Sequence, residues 1–252
     1  MSGRSFGAVV AQLAQAQKPS AGTPAYSRFL NRRLGRYLAA GAFLLGRTPN
    51  QVSLASGFCS LVGIGLIALT EPSVPLAIGV TLLLVLGYAL DSADGQLARL
   101  RGGGSPLGEW LDHMIDCVKI CLLHSAVLIS FFRFDAFSND VVLLVPLAYL
   151  CVSAVMFFGL ILIDQLRRRH GGVTANVRGD SIVKSLLIAP TDYGILCLVF
   201  LAFGWPTAFV LLYGLLLAAN LLFLLAAIAK WYREMAALRP AAQVPSSPGT
   251  AG

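Results

Sequence analysis

The stretch from Leu86 to Lys119, LGYALDSADGQLARLRGGGSPLGEWLDHMIDCVK, sets four aspartates into sequence that otherwise avoids water. Asp91 and Asp94 are three positions apart and Asp112 and Asp116 four apart, so each pair shares one face of a helix. Between the pairs, LRGGGSPL (residues 100–107) carries three consecutive glycines followed by Ser105 and Pro106, a favourable start for a new helix. So short a linker predicts two antiparallel, adjacent helices with their carboxylates facing a common cavity. Gly95, Ala98 and Gly108 each lie one helical turn from an aspartate and leave space there. Arg99 ends the first helix, where a guanidinium can hold a phosphate in bidentate fashion. Carboxylates this close raise one another's cost of ionisation and call for cations. With no His or Cys on the same face, the oxygen donors favour magnesium, manganese or calcium over zinc. A purely structural alternative pairs the aspartates with Arg99, Arg101 and Lys119 to hold helices together; it leaves the glycines without a purpose. Glu109, in the first turn of the second helix, complements the helix dipole.

The flanking sequence identifies the solvent. Of 252 residues, 57% are apolar and 12% charged, against roughly a quarter charged in ordinary soluble domains. Apolar runs approaching the ~20 residues that cross a bilayer recur six times. They fall at about 52–70, 74–100, 106–132, 140–164, 191–204 (lengthened upstream toward 184) and 206–230. The expected fold is therefore an all-α membrane protein with six transmembrane helices. Nineteen Lys and Arg against twelve Asp and Glu give +7, and seventeen of the nineteen cations fall on one side of this six-span arrangement. Basic residues mark the cytoplasmic side, so both termini and the aspartate hairpin are expected there. The excess charge suits anionic membrane lipids, and no nucleic-acid partner is expected.

Ahead of the first span, Tyr26, Phe29, Leu30, Leu34, Tyr37 and Leu38 recur at helical spacing, with Arg28, Arg32 and Arg36 elsewhere on the wheel. This predicts an interfacial amphipathic helix over 26–47. Residues 1–25 read as a flexible N-terminus without a secretory leader pattern, and 233–252, rich in Pro, Ser, Ala and Gly, as a disordered tail. The domain proper is then 48–232. His113 and His124 read as satisfied helix contacts, and Asp192 as a helix start. Arg178 and Lys184, in the polar stretch RRRHGGVTANVRGDSIVK, could furnish an anion pocket or simply belong to a solvated basic loop. Two further function classes share some of these features. An aspartate-rich membrane prenyltransferase would divide its carboxylates between separated segments, and a transporter would want broken midplane helices or repeats.

Asp91, Asp94, Gly95, Ala98, Arg99, Gly108, Asp112 and Asp116 reproduce D-x-x-D-G-x-x-A-R-x8-G-x-x-x-D-x-x-x-D, and in this the chain resembles the CDP-alcohol phosphotransferases. TPNQVS at 48–53 is similar to the T-P-N-x-x-T that opens the first span in many members, with Ser53 keeping the hydroxyl of Thr. The resemblance implies metal-dependent transfer of a substituted phosphate from a CDP-linked donor, CDP-diacylglycerol or a CDP-alcohol, to an alcohol acceptor, with CMP leaving, in phospholipid biosynthesis. It implies two divalent cations, Mg2+ or Mn2+, held by Asp91, Asp94, Asp112 and Asp116, with Asp116 as general base. Gly95, Ala98 and Gly108 would line the nucleotide pocket and Arg99 would meet the diphosphate. It also implies a homodimer and, from the compact chain and short loops, a bacterial plasma membrane.

Overall fold

The computed structural model describes residues 5–17, 22–170 and 182–237. Among them there are only helices and connecting turns. They run α1 (Phe6–Gln15), a π-helical turn (Ser27–Asn31) leading into α2 (Arg32–Leu44), α3 (Pro49–Leu69), α4 (Val74–Leu100), α5 (Pro106–Arg133), α6 (Leu144–Arg169), α7 (Ile182–Leu187), α8 (Tyr193–Val199) and α9 (Pro206–Ala237).

Each long helix begins where local chemistry dictates. Thr48 and Gln51 form a reciprocal capping box with Pro49 in the first turn of α3. Ser105 accepts from the Gly108 N–H and starts α5 at Pro106. Between α4 and α5 the chain reverses through Gly102 and Gly103 at φ of 101° and 129°, a backbone region that side-chain-bearing residues rarely adopt.

Five helices are long and apolar enough to cross a membrane among the described residues: Pro49–Leu69, Val74–Leu100, Pro106–Arg133, Asp140–Arg169 and Pro206–Ala237. Of the six expected spans, five correspond to these helices. The run at 191–204 folds as a short apolar helix, Tyr193–Ala202, about 15 Å long at ~1.5 Å per residue against a hydrocarbon core of about 30 Å. The reason is local. Asp192 adopts an extended backbone, caps the next turn by accepting from the Gly194 N–H, and so separates α8 from the helical residues before it.

The N-terminal stretch also departs from its expectation as a flexible segment, because residues 6–15 form α1. Ser5 caps it, and Val9 and Leu13, one turn apart, are fully buried against Ala39, Ala40, Ala93 and Leu97. Residues 238–252, most of the segment expected to be a disordered tail, lie outside the described residues, while α9 continues as helix to Ala237.

The main core joins α3, α4, α5, α6, α8 and α9 and is densely aromatic. Phe131, Phe200, Phe203, Phe209 and Tyr213 make successive ring contacts with centroids 5.1 to 6.0 Å apart where they touch. Helices α3 and α4 approach closely at Gly87, where a Cβ would collide with Ser60 and with the Ser56 carbonyl, and the Ser56 hydroxyl donates to the Gly87 carbonyl at 2.8 Å. Small residues at a crossing let backbones touch, as membrane helices require. Facing outward are Phe58, Phe158, Leu211, Leu215 and Leu222, each about two-thirds exposed, a surface that suits lipid and not water.

Candidate metal centre

Three elements meet at one end of the bundle: the start of α3, the last three turns of α4 and the first three turns of α5. Because α4 and α5 are antiparallel about the glycine turn, their aspartates come face to face. Carboxylate oxygens of Asp91, Asp112 and Asp116 lie within 4.8 Å of one another. Asp94 is buried and stands apart from this trio; its carboxylate accepts from the Ser53 hydroxyl at 2.5 Å. Ser53, the position at which the TPNQVS segment keeps a hydroxyl, thus fixes one aspartate from the neighbouring helix.

Lys119 enters the same group. Its ammonium lies 3.0 Å from Asp91 Oδ1 and 2.8 Å from Asp116 Oδ1, with the side chain only 5% exposed. The structural alternative weighed from sequence is therefore realised for one of its three cations. Arg101 instead donates to the Arg47 carbonyl, and Arg99 Nε donates to the carbonyl of Ala16 at the end of α1. Lys119 carries a signal in sequence, being three residues after Asp116 on the same helical face.

A cavity of about 860 Å³ opens beside the carboxylates. Asp94, Gly95, Ala98, Arg99, Gly108 and Asp112 line it, together with Asn50 and Ser53 from α3. A Cβ on Gly95 would meet only the Arg99 guanidinium, at 3.5 Å, and one on Gly108 would press Asn50 and Ser105 at 3.2 and 3.3 Å. Gly95 thus borders open space, whereas Gly108 also lets α5 approach Asn50 and Ser105 closely. Glu109 is in the first turn of α5, on the cavity rim, 3.6 Å from Arg168. A second cavity of about 230 Å³ shares Asp94, Gly95, Arg99 and Asp112 and adds Asp91 and Arg32. Gln17 and Gln96 also line it, joined by a 2.7 Å hydrogen bond that attaches the end of α1 to α4. Asp116 lines neither cavity; it sits one turn deeper along α5, against Lys119.

The contribution of α1 is the part of the site that sequence reasoning misses. Gln17 and the Ala16 carbonyl reach the cavity rim only because Val9 and Leu13 seat the helix on α2 and α4. Arg178 lies outside the described residues, as does the side chain of Lys184. His113 packs edge-on against Phe157, and His124 is bonded at both ring nitrogens far from the carboxylates. Asp192 caps α8.

The donor set fits a hard divalent cation. Carboxylates of Asp91, Asp112 and Asp116 converge from two helices with Asp94 on the adjoining cavity wall, all oxygen donors, and the Lys119 ammonium neutralises a fraction of their charge.

Comparison with known proteins gives three results. A family model described as CDP-alcohol phosphatidyltransferase matches residues 47–233. Over 102 residues the chain is 29% identical to the archaetidylinositol phosphate synthase of Aeropyrum pernix. That stretch is 40% of this chain and 50% of the other protein, so the chain spans about half the length of the curated relative it matches. The crystal structure of Mycobacterium tuberculosis phosphatidylinositol phosphate synthase with CDP-DAG bound has the same fold. Its TM-score is 0.55 at 18% identity, over 81% of this chain and 94% of that one.

Proposed function

Since the chain belongs to the CDP-alcohol phosphatidyltransferase family, we propose that it transfers a substituted phosphate from a CDP-linked donor to an alcohol hydroxyl, releasing CMP. The observation that carries this reading is the carboxylate hairpin of α4 and α5 opening onto a cavity walled by Gly95, Ala98 and Gly108. The names of the relatives favour a CDP-linked diradylglycerol lipid as donor and an inositol phosphate as the first acceptor to try.

Asp91, Asp94, Asp112 and Asp116 would hold two divalent cations, Mg2+ or Mn2+, which when bound neutralise the donor diphosphate and polarise the phosphorus under attack. The protein's own groups do the rest. Gly95, Ala98 and Gly108 leave room for the nucleotide, and Arg99 at the cavity wall steadies a phosphoryl oxygen. Asp116 accepts the proton of the acceptor hydroxyl as its oxygen bonds to phosphorus, and the bond from phosphorus to the CMP oxygen breaks with its electron pair. Asp94, held by Ser53, keeps a fixed orientation through the transfer.

The reading includes six crossings with both termini and the site cytoplasmic, and a homodimer as in the family. Asp192 accepts from Tyr88 and Ser27, while Gly204 presses the backbone of Ser73 and Val74. The path from 192 to 204 therefore covers the same depth as α4 from Val74 to Tyr88, about 21 Å. This supports α8 as a shortened sixth crossing. The exposed apolar residues Phe29, Leu30 and Tyr37 support α2 and its leading turn as an interfacial helix. A reporter fused after Trp205 should read external; a cytoplasmic reading would leave five crossings.

The function is tested by incubating the purified chain with manganese, CDP-diacylglycerol and a panel of alcohols that includes inositol phosphate. CMP release that depends on both donor and acceptor is expected. No CMP from any CDP-lipid or CDP-alcohol donor would overturn the reading.

A further inference from the structure

The smaller cavity is bounded differently from the larger one. Every residue that lines it is polar or glycine, whereas Pro49, Ala98 and Pro106 help to line the larger. At about 860 Å³ the larger falls within the roughly 300 to 1,000 Å³ usual for drug-sized ligands, and at about 230 Å³ the smaller falls below it. The two share Asp94, Gly95, Arg99 and Asp112, so they meet at the carboxylates. A transfer between two substrates requires two spaces that open on one point: the larger suits the nucleotide of the donor, the smaller a compact and strongly hydrated acceptor.

Residues just past α1 give the smaller cavity a recognising wall. Gln17 Nε2 donates to the Leu13 carbonyl and to Gln96 Oε1, both at 2.7 Å. A carbonyl can only accept, so the Leu13 bond fixes which end of the Gln17 amide is which. Both N–H groups are thereby used, and Gln17 Oε1 has no partner among the described residues. Gln96, 2% exposed, donates in turn to the Arg32 carbonyl at 3.1 Å and to the Ser92 hydroxyl at 3.2 Å, and so holds Gln17 from within the bundle. Arg99 Nε, bonded to the Ala16 carbonyl at 3.1 Å, ties the same segment down one turn further along α4. An amide oxygen held in this way can only accept, while the Ser92 hydroxyl, which accepts from Gln96, has a proton to give. Side by side they match a hydroxyl group, which is donor and acceptor at once.

We propose that Gln17 is a specificity-determining residue for the acceptor: its Oε1 accepts from a non-reacting hydroxyl of a small polyol seated in the smaller cavity. This rests on the proposed transfer to an alcohol. Gln17 precedes residues 47–233, which match the family model. The carboxylates and the donor cavity thus belong to the matched domain, and the choice of acceptor is set by a segment ahead of it.

The test compares acceptors that differ by one hydroxyl. The full chain in lipid nanodiscs receives manganese and CDP-diacylglycerol with inositol phosphate, glycerol phosphate or serine, and with the single-deoxy analogues of the two polyol phosphates, and CMP release is followed. The unaltered protein should prefer a polyol phosphate to the analogue that lacks one particular hydroxyl by about three- to tenfold in kcat/KM, the worth of one neutral hydrogen bond. Gln17→Met, which keeps the length of the side chain and cannot hydrogen-bond, should bring that preference to within about twofold, chiefly through KM for the acceptor, with KM for CDP-diacylglycerol changed by no more than about twofold. If Gln17→Met does not fold, as judged by gel filtration, Gln17→Ala takes its place with the same expectation. Were Gln17 merely structural, loosening α1 would slow acceptor and analogue alike and leave the preference intact, and that result would overturn the proposal. Equal use of every deoxy analogue by the unaltered protein, or turnover confined to serine, would also overturn it while the transferase reading stands. If no acceptor releases CMP, both fall together.

Discussion

Two of the polar clusters buried in this bundle are built on opposite plans. Deep among α5, α6 and α9, His124 bonds Tyr213 through Nδ1 and Ser153 through Nε2, the latter at 3.0 Å. Its ring stacks on Tyr149, whose hydroxyl accepts from Asn220 at 3.1 Å. The groups named are neutral partners for one another, and neither cavity described above touches them. At the other end of α5, Asp91, Asp112 and Asp116 converge with the buried Lys119 ammonium against two of them, and Asp94 and Asp112 border open space. The first cluster is closed and neutral; the second gathers carboxylates at the edge of open space. A polar group inside a membrane is thus not sufficient to mark function. Carboxylates gathered beside a cavity are the more discriminating sign.

The comparison breaks most visibly under substitution of the aspartates. Asp91→Asn or Asp112→Asn should abolish CMP release at any magnesium or manganese concentration, while gel filtration and helical circular dichroism stay as in the unaltered protein. His124→Phe, in the balanced cluster, should leave turnover within about twofold, since nothing it touches reaches the donor set. Near-normal turnover in both aspartate variants would erase the distinction between the clusters.

Asp116 sharpens it. Its position off both cavity walls and against Lys119 is unlike that of Asp112, one turn nearer the turn between α4 and α5. If it acts chiefly as the base, Asp116→Asn should slow turnover by about 10² to 10⁴-fold, the range for removing a general acid or base, yet still bind CDP with manganese. Loss of CDP binding as complete as in Asp91→Asn would instead make Asp116 primarily a metal ligand.

Next in size is Arg99, which shares its guanidinium between the cavity and the Ala16 carbonyl. Arg99→Ala should weaken CDP binding by about 1.5 to 3 kcal/mol, the worth of a charge-assisted hydrogen bond, with a smaller effect on the rate at saturating donor. Calorimetric titration with CDP measures the first and CMP release the second. A loss of rate without loss of affinity would place Arg99 in the chemistry and not in binding.

What the sequence reveals follows from the range of the interactions involved. The α4–α5 hairpin is legible because its signals are local: aspartates three and four apart, three glycines, then Ser105 and Pro106. Lys119 as a bridge is only half legible. Its spacing from Asp116 is local, but the contact with Asp91 depends on how two helices are rotated about each other, and no single segment encodes that. The short α8 is half legible: Asp192 reads as a helix start and does cap α8, but composition does not report that the helix so started ends as early as Val199. In and just after α1, Gln12, Gln15 and Gln17 dilute the apolar signal so that the segment reads as flexible. Val9 and Leu13 are the two residues that matter, and their burial is set by small side chains on α2 and α4, far away in sequence.

The smallest effect belongs to the balanced cluster and tests it in its own terms. Tyr213→Phe removes one hydroxyl and leaves His124 Nδ1 without the partner it has here. In water-soluble cores an orphaned polar atom is expensive, but side-chain hydrogen bonds between membrane helices are worth only about 0.6 kcal/mol on average and at most about 1.7, because partners remain within reach even when the pair is broken. His124 still has Ser153 on its other nitrogen and Tyr149 stacked on its face. A loss of stability of about 0.5 to 1.7 kcal/mol is therefore expected in a denaturant titration in mixed micelles, with CMP release per folded molecule unchanged. A large fall in turnover with intact stability would mean that this cluster communicates with the carboxylates along α5, and the contrast between the two regions would have to be redrawn.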